Sequence, residues 1–292
     1  MTLTTRSTCR IEVGESPLAV GPLAVVSESL AARREARDLS GLRGTRSALA
    51  ERMVAGPVAV SGELVLEPSL AELARLLPLA MGTSAADGPG VTLCQLAERL
   101  PSFALAIDRG AAVFRYHGCQ IAEARLALER GAPATLALSI EALTESLAPA
   151  GSLSPTVCEP GAPLSLSSSS VLLDGVAHEA ARIDLQIENR MAVERFASGT
   201  WRVDLPVVER RVRLGLTLPY DAAAQAIYAA APRATTASVR LAAGPEELRF
   251  DFPSVRFETP GPAIGMTAPL ALVLAGAAAS TGAGELSVTY FH

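Results

Sequence analysis

The chain has 292 residues, of which 49% are hydrophobic and 19% are charged, so it has the length of two common domains and enough apolar material for their cores. Its 25 basic residues are all arginine and face 30 Asp and Glu. The resulting net charge of −5 argues against a protein that grips nucleic acid by neutralising phosphates. The four cysteines show neither a CxxC pair nor metal-ligand spacing, so we expect free, buried thiols and no metal site.

Apolar residues alternate with polar ones in many short segments, and no signal peptide is expected before them. A period of two is the signature of β-strands, because successive side chains point to opposite faces of a sheet. The sequence therefore predicts a mainly β fold. The alternating segments are 58–66, 103–107, 126–128, 136–140, 183–187, 212–218, 248–252, 270–274 and 286–288.

Helical spacing is limited to one short segment in each half. In Ser69–Met81 the leucines recur at helical spacing, and Ser69 with Glu72 forms a capping box. Pro78 should end or kink this helix in its last turn. In Asp221–Ala230 the aspartate can cap the helix, and Pro232 then stops it.

Two segments with little charge affect the domain organisation. Thr259–Gly284 is uncharged and long enough to cross a bilayer, but three prolines and five glycines interrupt it. We expect a buried strand there, with Pro269–Ala275 as its core, and no membrane span. Ala148–Ser170 is rich in Pro, Gly and Ser and predicts a linker. The predicted domains are residues 1–150 and 151–292.

The two halves look like copies of one unit. Val60–Leu77 and Val212–Ala229 both have a strand, a turn with proline and a helix, at an offset of 152 residues. The later strands align at an offset of 134, and the difference of 18 residues predicts an insertion near Gly82–Pro101. A polar, Arg-rich arm precedes each strand–helix unit, at about 29–56 (the first arm) and 189–211 (the second arm). We interpret this order as a tandem duplication.

A search for catalytic motifs finds none. The three histidines are far apart, and there is no HExxH, GxSxG, GxxxxGK[ST] or GxGxxG sequence in a suitable context. Asp108–Arg109–Gly110 follows a predicted strand and predicts a hairpin turn. We therefore expect no enzyme and no cofactor.

The arms are the candidate interaction surface. Arginine on loops of an otherwise acidic body suits docking onto an identical neighbour. Trp201 beside Arg202 is typical of a contact hot spot, or the pair packs back on its own domain. A solvated loop is an alternative for both arms, and nucleic-acid binding is a weaker one because no stacking aromatics accompany the arginines. The candidate interface residues are Arg33, Arg34, Arg37, Arg43, Arg46, Arg195, Trp201 and Arg202.

This pattern resembles the tail tube proteins of long-tailed bacteriophages, in a duplicated form with two β-sandwich or barrel domains. The resemblance covers most of residues 25–290 and consists of strands and turns, with no catalytic signature. The matching segments are Gly56–Gly82, Phe103–Leu128, Ala181–Phe196, Arg210–Ala231 and Leu248–Phe257.

The resemblance implies a structural protein of the virion tail, assembled in the bacterial cytoplasm. In that family six domains form a ring around a β-lined channel, so a duplicated chain would form it from three copies, as a pseudo-hexamer. The arms would reach the adjacent ring, and acidic residues inside would let DNA pass without binding it. Further partners would be the tape measure, tail tip and terminator proteins. The alternatives are a decoration or adhesin β-sandwich without a tube, and an enzyme or sugar-binding module on a β-sandwich.

Overall fold

A computed structural model gives the fold of most of the chain, and β-strands dominate it. For residues 9–13, 18–22 and 37–38 only the backbone is described. The described residues are 9–13, 18–23, 25–38, 47, 50–153, 161–196, 200–231, 233–258, 261–262, 270–282 and 284–292. The first-half elements are β1 (Cys9–Val13), β2 (Leu18–Leu23), β3 (Val25–Glu28), β4 (Ala31–Asp38), β5 (Met53–Leu66), α1 (Leu70–Met81), β6 (Gly82–Ala86), β7 (Val91–Leu96), β8 (Phe103–Asp108), β9 (Ala112–Glu129), β10 (Thr135–Ala142) and β11 (Thr144–Pro149).

The second half repeats this style of strands around one short helix. Its elements are β12 (Ser169–Leu173), β13 (Val176–His178), β14 (Arg182–Met191), β15 (Val207–Pro219), α2 (Ala222–Ala230), β16 (Ala234–Ala243), β17 (Glu246–Glu258), β18 (Ala271–Ala278) and β19 (Ser287–Phe291). Single 3₁₀ turns occur at Ala50–Arg52 and Leu166–Ser168. The predicted mainly β fold is confirmed, and each predicted alternating segment lies in a strand or directly beside one.

Both helices begin where their capping residues predict. The Ser69 hydroxyl accepts a hydrogen bond from the Glu72 amide at 3.3 Å, and the Glu72 carboxylate accepts one from the Ser69 amide at 2.9 Å. Pro78 lies inside the last turn of α1, and the helix ends at Gly82, whose φ of 117° favours glycine. The Asp221 carboxylate caps α2 by accepting from the Ala224 amide at 2.8 Å. Pro232 lies outside the described residues.

Eight antiparallel strands form what we call the central sheet, in the order β4–β5–β10–β9–β14–β15–β18–β17. The two halves meet at its middle, where β9 pairs with β14 from Glu129–Arg182 to Glu123–Glu188. One face of the sheet is buried and the other is exposed, because apolar and polar residues alternate along each strand.

A further layer of strands covers the buried face in each half. In the first half it has the order β2–β1–β8–β9–β11, using the N-terminal part of the long strand β9. In the second half the order is β13–β12–β16–β17–β19–β7–β6. The β6–β7 hairpin belongs to the first half by sequence, so the first half completes a sheet of the second.

The core runs through both halves as one continuous cluster of buried apolar side chains. Because the halves share this core, the division into two domains near residue 150 stays a prediction. Cys94 and Cys119 are buried, as expected, and burial raises the pKa of the Cys94 thiol to about 11. In the part of the chain that the structure describes, no helix is long and apolar enough to span a membrane. The uncharged segment instead contains β18.

Candidate assembly surface

The central sheet has two open ends. β4 pairs with β5 along one edge, and no described strand pairs with its other edge. At Phe257 and Glu258 the strand β17 pairs only with β18 among the described residues. Unpaired strand edges present free N–H and C=O groups, which are templates for pairing with another chain. The two ends are therefore candidate contact surfaces between copies.

The first arm is not a loop at its start, since its arginines Arg33, Arg34 and Arg37 lie in strand β4. Arg33 pairs with Ala59 and Arg34 with Val58, so the two side chains point to opposite faces of the sheet. Both are exposed, and neither takes part in a hydrogen bond or ion pair among the described residues. The side chain of Arg37 is not described, and Arg43 and Arg46 lie outside the described residues.

A bidentate ion pair fixes the start of β4. The Arg109 guanidinium donates to both oxygens of Glu28, at 2.8 and 2.7 Å, and to the Leu30 carbonyl at 2.6 Å. The hydrogen bond to Glu28 raises the pKa of Arg109. Arg109 also stacks over the ring of Phe114, 4.3 Å from its centroid. The predicted turn at Asp108–Gly110 is confirmed, with the Gly110 amide donating to the Asp108 carboxylate at 2.8 Å.

The second arm lies on the first half of the same chain. The Val58 amide donates to the Thr200 carbonyl at 2.7 Å, and Trp201 and Val58 form an isolated parallel β-bridge. Arg202 is only 6% exposed and donates to the Glu141 carboxylate at 2.5 Å and to the Val60 carbonyl at 3.2 Å. Arg202 therefore has little surface left for a neighbouring copy.

Arg195 is the exposed member of the second arm. It forms an ion pair with Asp204 at 3.2 Å, and both side chains are more than half exposed. The sequence left two alternatives for Trp201 and Arg202, a contact hot spot or packing back onto their own domain. Both residues pack onto their own chain, but onto its first half and not onto the second half to which they belong. The part of Arg195 and Trp201 in contacts between copies stays a prediction.

The sequence reasoning missed Asn189, which is fully buried in β14. Its side-chain amide donates to the Ala80 carbonyl at 2.9 Å and to the Ile121 carbonyl at 3.1 Å, and its oxygen accepts from Arg210 at 3.2 Å. Arg210 also donates to the Ala97 carbonyl. Asn189 thus joins β14 to the C-terminal end of α1. The sequence offered one signal, since Asn189 is the only asparagine of the chain and follows Leu185 and Ile187 at the period of two that marks the buried face of the strand.

The exposed face of the central sheet carries charges of both signs. Arg182, for example, pairs with Asp184 at 2.6 Å and with Glu129 at 3.5 Å. The acidic residues on this face are Glu63, Glu123, Glu129, Glu141, Asp184, Glu188, Glu209 and Glu258, and the basic ones are Arg33, Arg125, Arg182, Arg190, Arg211, Arg213 and Arg256. With eight acidic and seven basic residues, the described part of this face is nearly neutral.

The comparison with known families covers both halves. A family model described as phage tail tube protein matches residues 4–290. No curated protein matches the chain closely enough to count as a relative. The match extends over nearly the whole sequence and agrees with the β-rich fold. The chain therefore belongs to the phage tail tube protein family.

Proposed function

We propose that this chain assembles with identical copies into stacked rings that form the tube through which phage DNA leaves the virion. The observation that carries the proposal is the central sheet, which is continuous across the joint between the halves and has no further described strand paired at either end. Family membership gives the tail as the location, and assembly in the host cytoplasm belongs to the proposal. This role needs no catalysis, and we propose that the protein is not an enzyme.

The strand pairing supports a duplicated subunit. In the first half β5 pairs with β10, β10 with β9, and β9 with β8 and β11. In the second half β15 pairs with β18, β18 with β17, and β17 with β16 and β19. A helix follows β5 and β15 alike. The additional β6–β7 hairpin falls within Gly82–Pro101, where the alignment of the halves requires an insertion.

The β9–β14 joint suggests how copies would meet. Under the duplication, β17 is the counterpart of β9 and β4 is the counterpart of β14. The open end at β17 of one copy would then pair with the open β4 of the next, as β9 pairs with β14 inside the chain. Three chains would close such a ring as a pseudo-hexamer, with eight strands from each chain around the channel.

The exposed face of the central sheet is the surface that we propose for the channel. Its nearly balanced charge differs from the expectation of acidic residues inside and arginines in the arms. None of the described residues that the eight strands place on this face is aromatic, so the strands offer no stacking platform to bases. A nearly neutral, ion-paired wall whose strands carry no aromatic groups is compatible with DNA that passes without binding.

Contacts beyond the ring are proposed from the family. Arg37, Arg43 and Arg46 remain candidates for contact with the adjacent ring. The two ends of a tube would meet the tail tip and terminator proteins, and the tape measure protein would lie in the channel before DNA does. We propose no membrane contact.

Negative-stain electron microscopy of the purified chain, over a range of protein concentration and salt, tests the proposal. We expect rings or tubes with a central hole, and three-fold symmetry in end views. A protein that stays monomeric over the whole range, also with a tail-tip initiator added, would contradict the proposal.

A further inference from the structure

The two helices occupy equivalent places but differ in burial. In α1, seven of the twelve residues are buried, whereas in α2 only Ala224 of the nine is. When the helices are aligned at their capping residues Ser69 and Asp221, Tyr228 takes the place of Leu76. Leu76 is 1% exposed and Tyr228 is 39% exposed. α2 therefore leaves open a face that is covered in α1.

The cover of α1 comes from the other half of the chain. α1 contacts β14, β16 and β17 of the second half, in addition to the β6–β7 hairpin and β9 of its own half. It thus lies at the joint between the halves, beside the β9–β14 pairing. The equivalent place of α2 is beside the open end of the central sheet at β17, where the proposed function puts the next copy.

Asn189 marks the point at which β14 touches α1, and β4 has an equivalent residue. Asn189 pairs with Arg210 in β15, and Arg34 pairs with Val58 in β5. At the offset of 152 residues, Val58 is the counterpart of Arg210, so Arg34 is the counterpart of Asn189. On β14 the buried residues Leu185 and Ile187 precede Asn189 on the same face.

On β4 the same parity holds. The buried Leu30 and the core-packed Ala32 precede Arg34 on the core-facing side. Arg34 therefore points to the core-facing side of the sheet but is exposed, because no element of the described chain covers it. Its neighbour Arg33 points to the opposite face.

We propose that Arg34 of one copy binds the C-terminal end of α2 in the next copy, as Asn189 binds the end of α1 within the chain, and that Tyr228 is buried in that contact. The proposal rests on the ring proposed above and names the residues of its joint. The partner is a second copy of this chain.

The chemistry of the helix end fits a guanidinium. The C-terminal end of a helix carries the negative end of the helix dipole, so a cation there is stabilising. In α2 the Ile227 and Tyr228 carbonyls accept from the Ala231 amide and the Ala230 carbonyl accepts from the Arg233 amide, so a guanidinium would use the second lone pairs of these carbonyls. α2 has no basic residue in its last turn. An arginine can donate to several carbonyls at once, whereas the shorter Asn189 donates to Ala80 and Ile121 from a buried position.

Arg34→Ala tests the basic side of the contact, with Arg75→Ala as the control, because Arg75 is exposed on α1 and lies in neither β4 nor α2. We expect Arg34→Ala to raise the protein concentration needed for ring formation about tenfold, since hydrogen bonds to a charged group are lost. Arg75→Ala should stay within about twofold of the unaltered chain. Ring formation is followed by sedimentation velocity and electron microscopy.

Arg34→Asn, which imitates Asn189, should restore part of the assembly. The melting temperature of the monomer should not change in either Arg34 variant, because Arg34 is exposed. A lowered melting temperature would mean that Arg34 stabilises its own chain, and it would overturn the proposal.

Tyr228→Glu tests the helix side, with Ala223→Glu as the control that adds the same charge elsewhere on α2. We expect Tyr228→Glu to prevent rings at concentrations where Ala223→Glu forms them, because a carboxylate would have to be buried in the contact. If the unaltered chain forms rings and the Arg34 and Tyr228 variants assemble like their controls, the contact is wrong and the ring stands. If the unaltered chain forms no rings, both proposals fail.

Discussion

The first half of the chain contains the β6–β7 hairpin, which has no counterpart among the described residues of the second half. This hairpin extends a sheet of the second half. β7 pairs with β19 from Val91–Phe291 to Gln95–Ser287, and β6 pairs with β7 outside it. The joint between the halves is therefore held at two levels, by β9–β14 in the central sheet and by β7–β19 in the covering layer. The proposed joint between copies has a counterpart of the β9–β14 pairing but none of the β7–β19 pairing. We therefore expect the proposed joint between chains to be weaker than the joint within the chain.

Removing the Arg202 guanidinium should weaken the internal joint most. Arg202→Ala leaves Glu141 without its partner at a site where the two side chains are 5% and 21% exposed. We expect a loss of about 3–5 kcal/mol in the free energy of unfolding, measured by urea denaturation. Arg195→Ala, which removes an exposed ion pair of the same arm, should cost less than about 1 kcal/mol. Equal losses in the two variants would show that burial of Arg202 does not decide its contribution.

Asn189→Ala should have the second largest effect. It removes two donated hydrogen bonds and one accepted from Arg210, and it leaves buried carbonyls unsatisfied. We expect the free energy of unfolding to fall by about 2–3 kcal/mol. Gln186→Ala is the control on the exposed face of the same strand, where the side chain bonds Glu123, and it should cost about 0.5 kcal/mol. A similar loss for both would contradict the role assigned to Asn189.

The burial of the β6–β7 hairpin can be tested by the pH dependence of the free energy of unfolding, because the buried thiol of Cys94 lies in β7. Burial raises the pKa of this thiol to about 11 in the folded chain, from an ordinary value of 9.0. The folded state therefore holds the thiol proton when the unfolded state has lost it, so stability falls as the pH rises from about 9 to 11. We expect the unaltered chain to lose about 2 kcal/mol more than Cys94→Ala over this range.

The control for the Cys94 comparison lies in the chain itself. Burial also raises the pKa values of Tyr116 and Tyr290, and these groups contribute to both proteins alike. The difference between the two proteins therefore isolates Cys94. Identical pH dependence of unfolding would mean that the β7 thiol is not desolvated.

Replacement of Arg37, Arg43 and Arg46 by alanine should have the smallest effect on the chain and on either joint. We expect the rings to form at the usual concentration and the tubes to be shorter, because these residues are assigned to the contact between rings. Tube length is measured by electron microscopy, with Arg75→Ala on α1 as the control outside both arms. Tubes of unchanged length would remove the first arm from ring stacking.

Local patterns predicted the strands and helices well, because alternation and capping are properties of neighbouring residues. The capping box of α1, the Asp221 cap of α2 and the parity of Val212–Leu218 could be read directly from the sequence. The unequal offsets of the two halves predicted extra loop at Gly82–Pro101, and the structure has the β6–β7 hairpin in that segment. The pairing of β7 with β19 could not be predicted, because no local signal states which distant edge a hairpin will meet.

The arms show the limit of sequence reasoning for the assembly surface. An arginine in a polar segment looks the same whether it is buried against Glu141, like Arg202, or exposed on a strand, like Arg34. The distinction depends on the parity of β4 and on the path of the second arm over β5, and both are tertiary properties. Asn189 was overlooked because buried amides have no spacing rule of their own.

The β6–β7 hairpin, which has no counterpart among the described residues of the second half, also affects the outside of the proposed tube. Six similar domains would offer six similar sites to any protein that surrounds the tube or closes its end. With β6 and β7 in only the first half of each chain, the outer surface of a ring of three chains would repeat three times instead of six. A binding protein that recognises the hairpin would therefore occupy three sites per ring, and one with six-fold symmetry would meet two kinds of site in alternation.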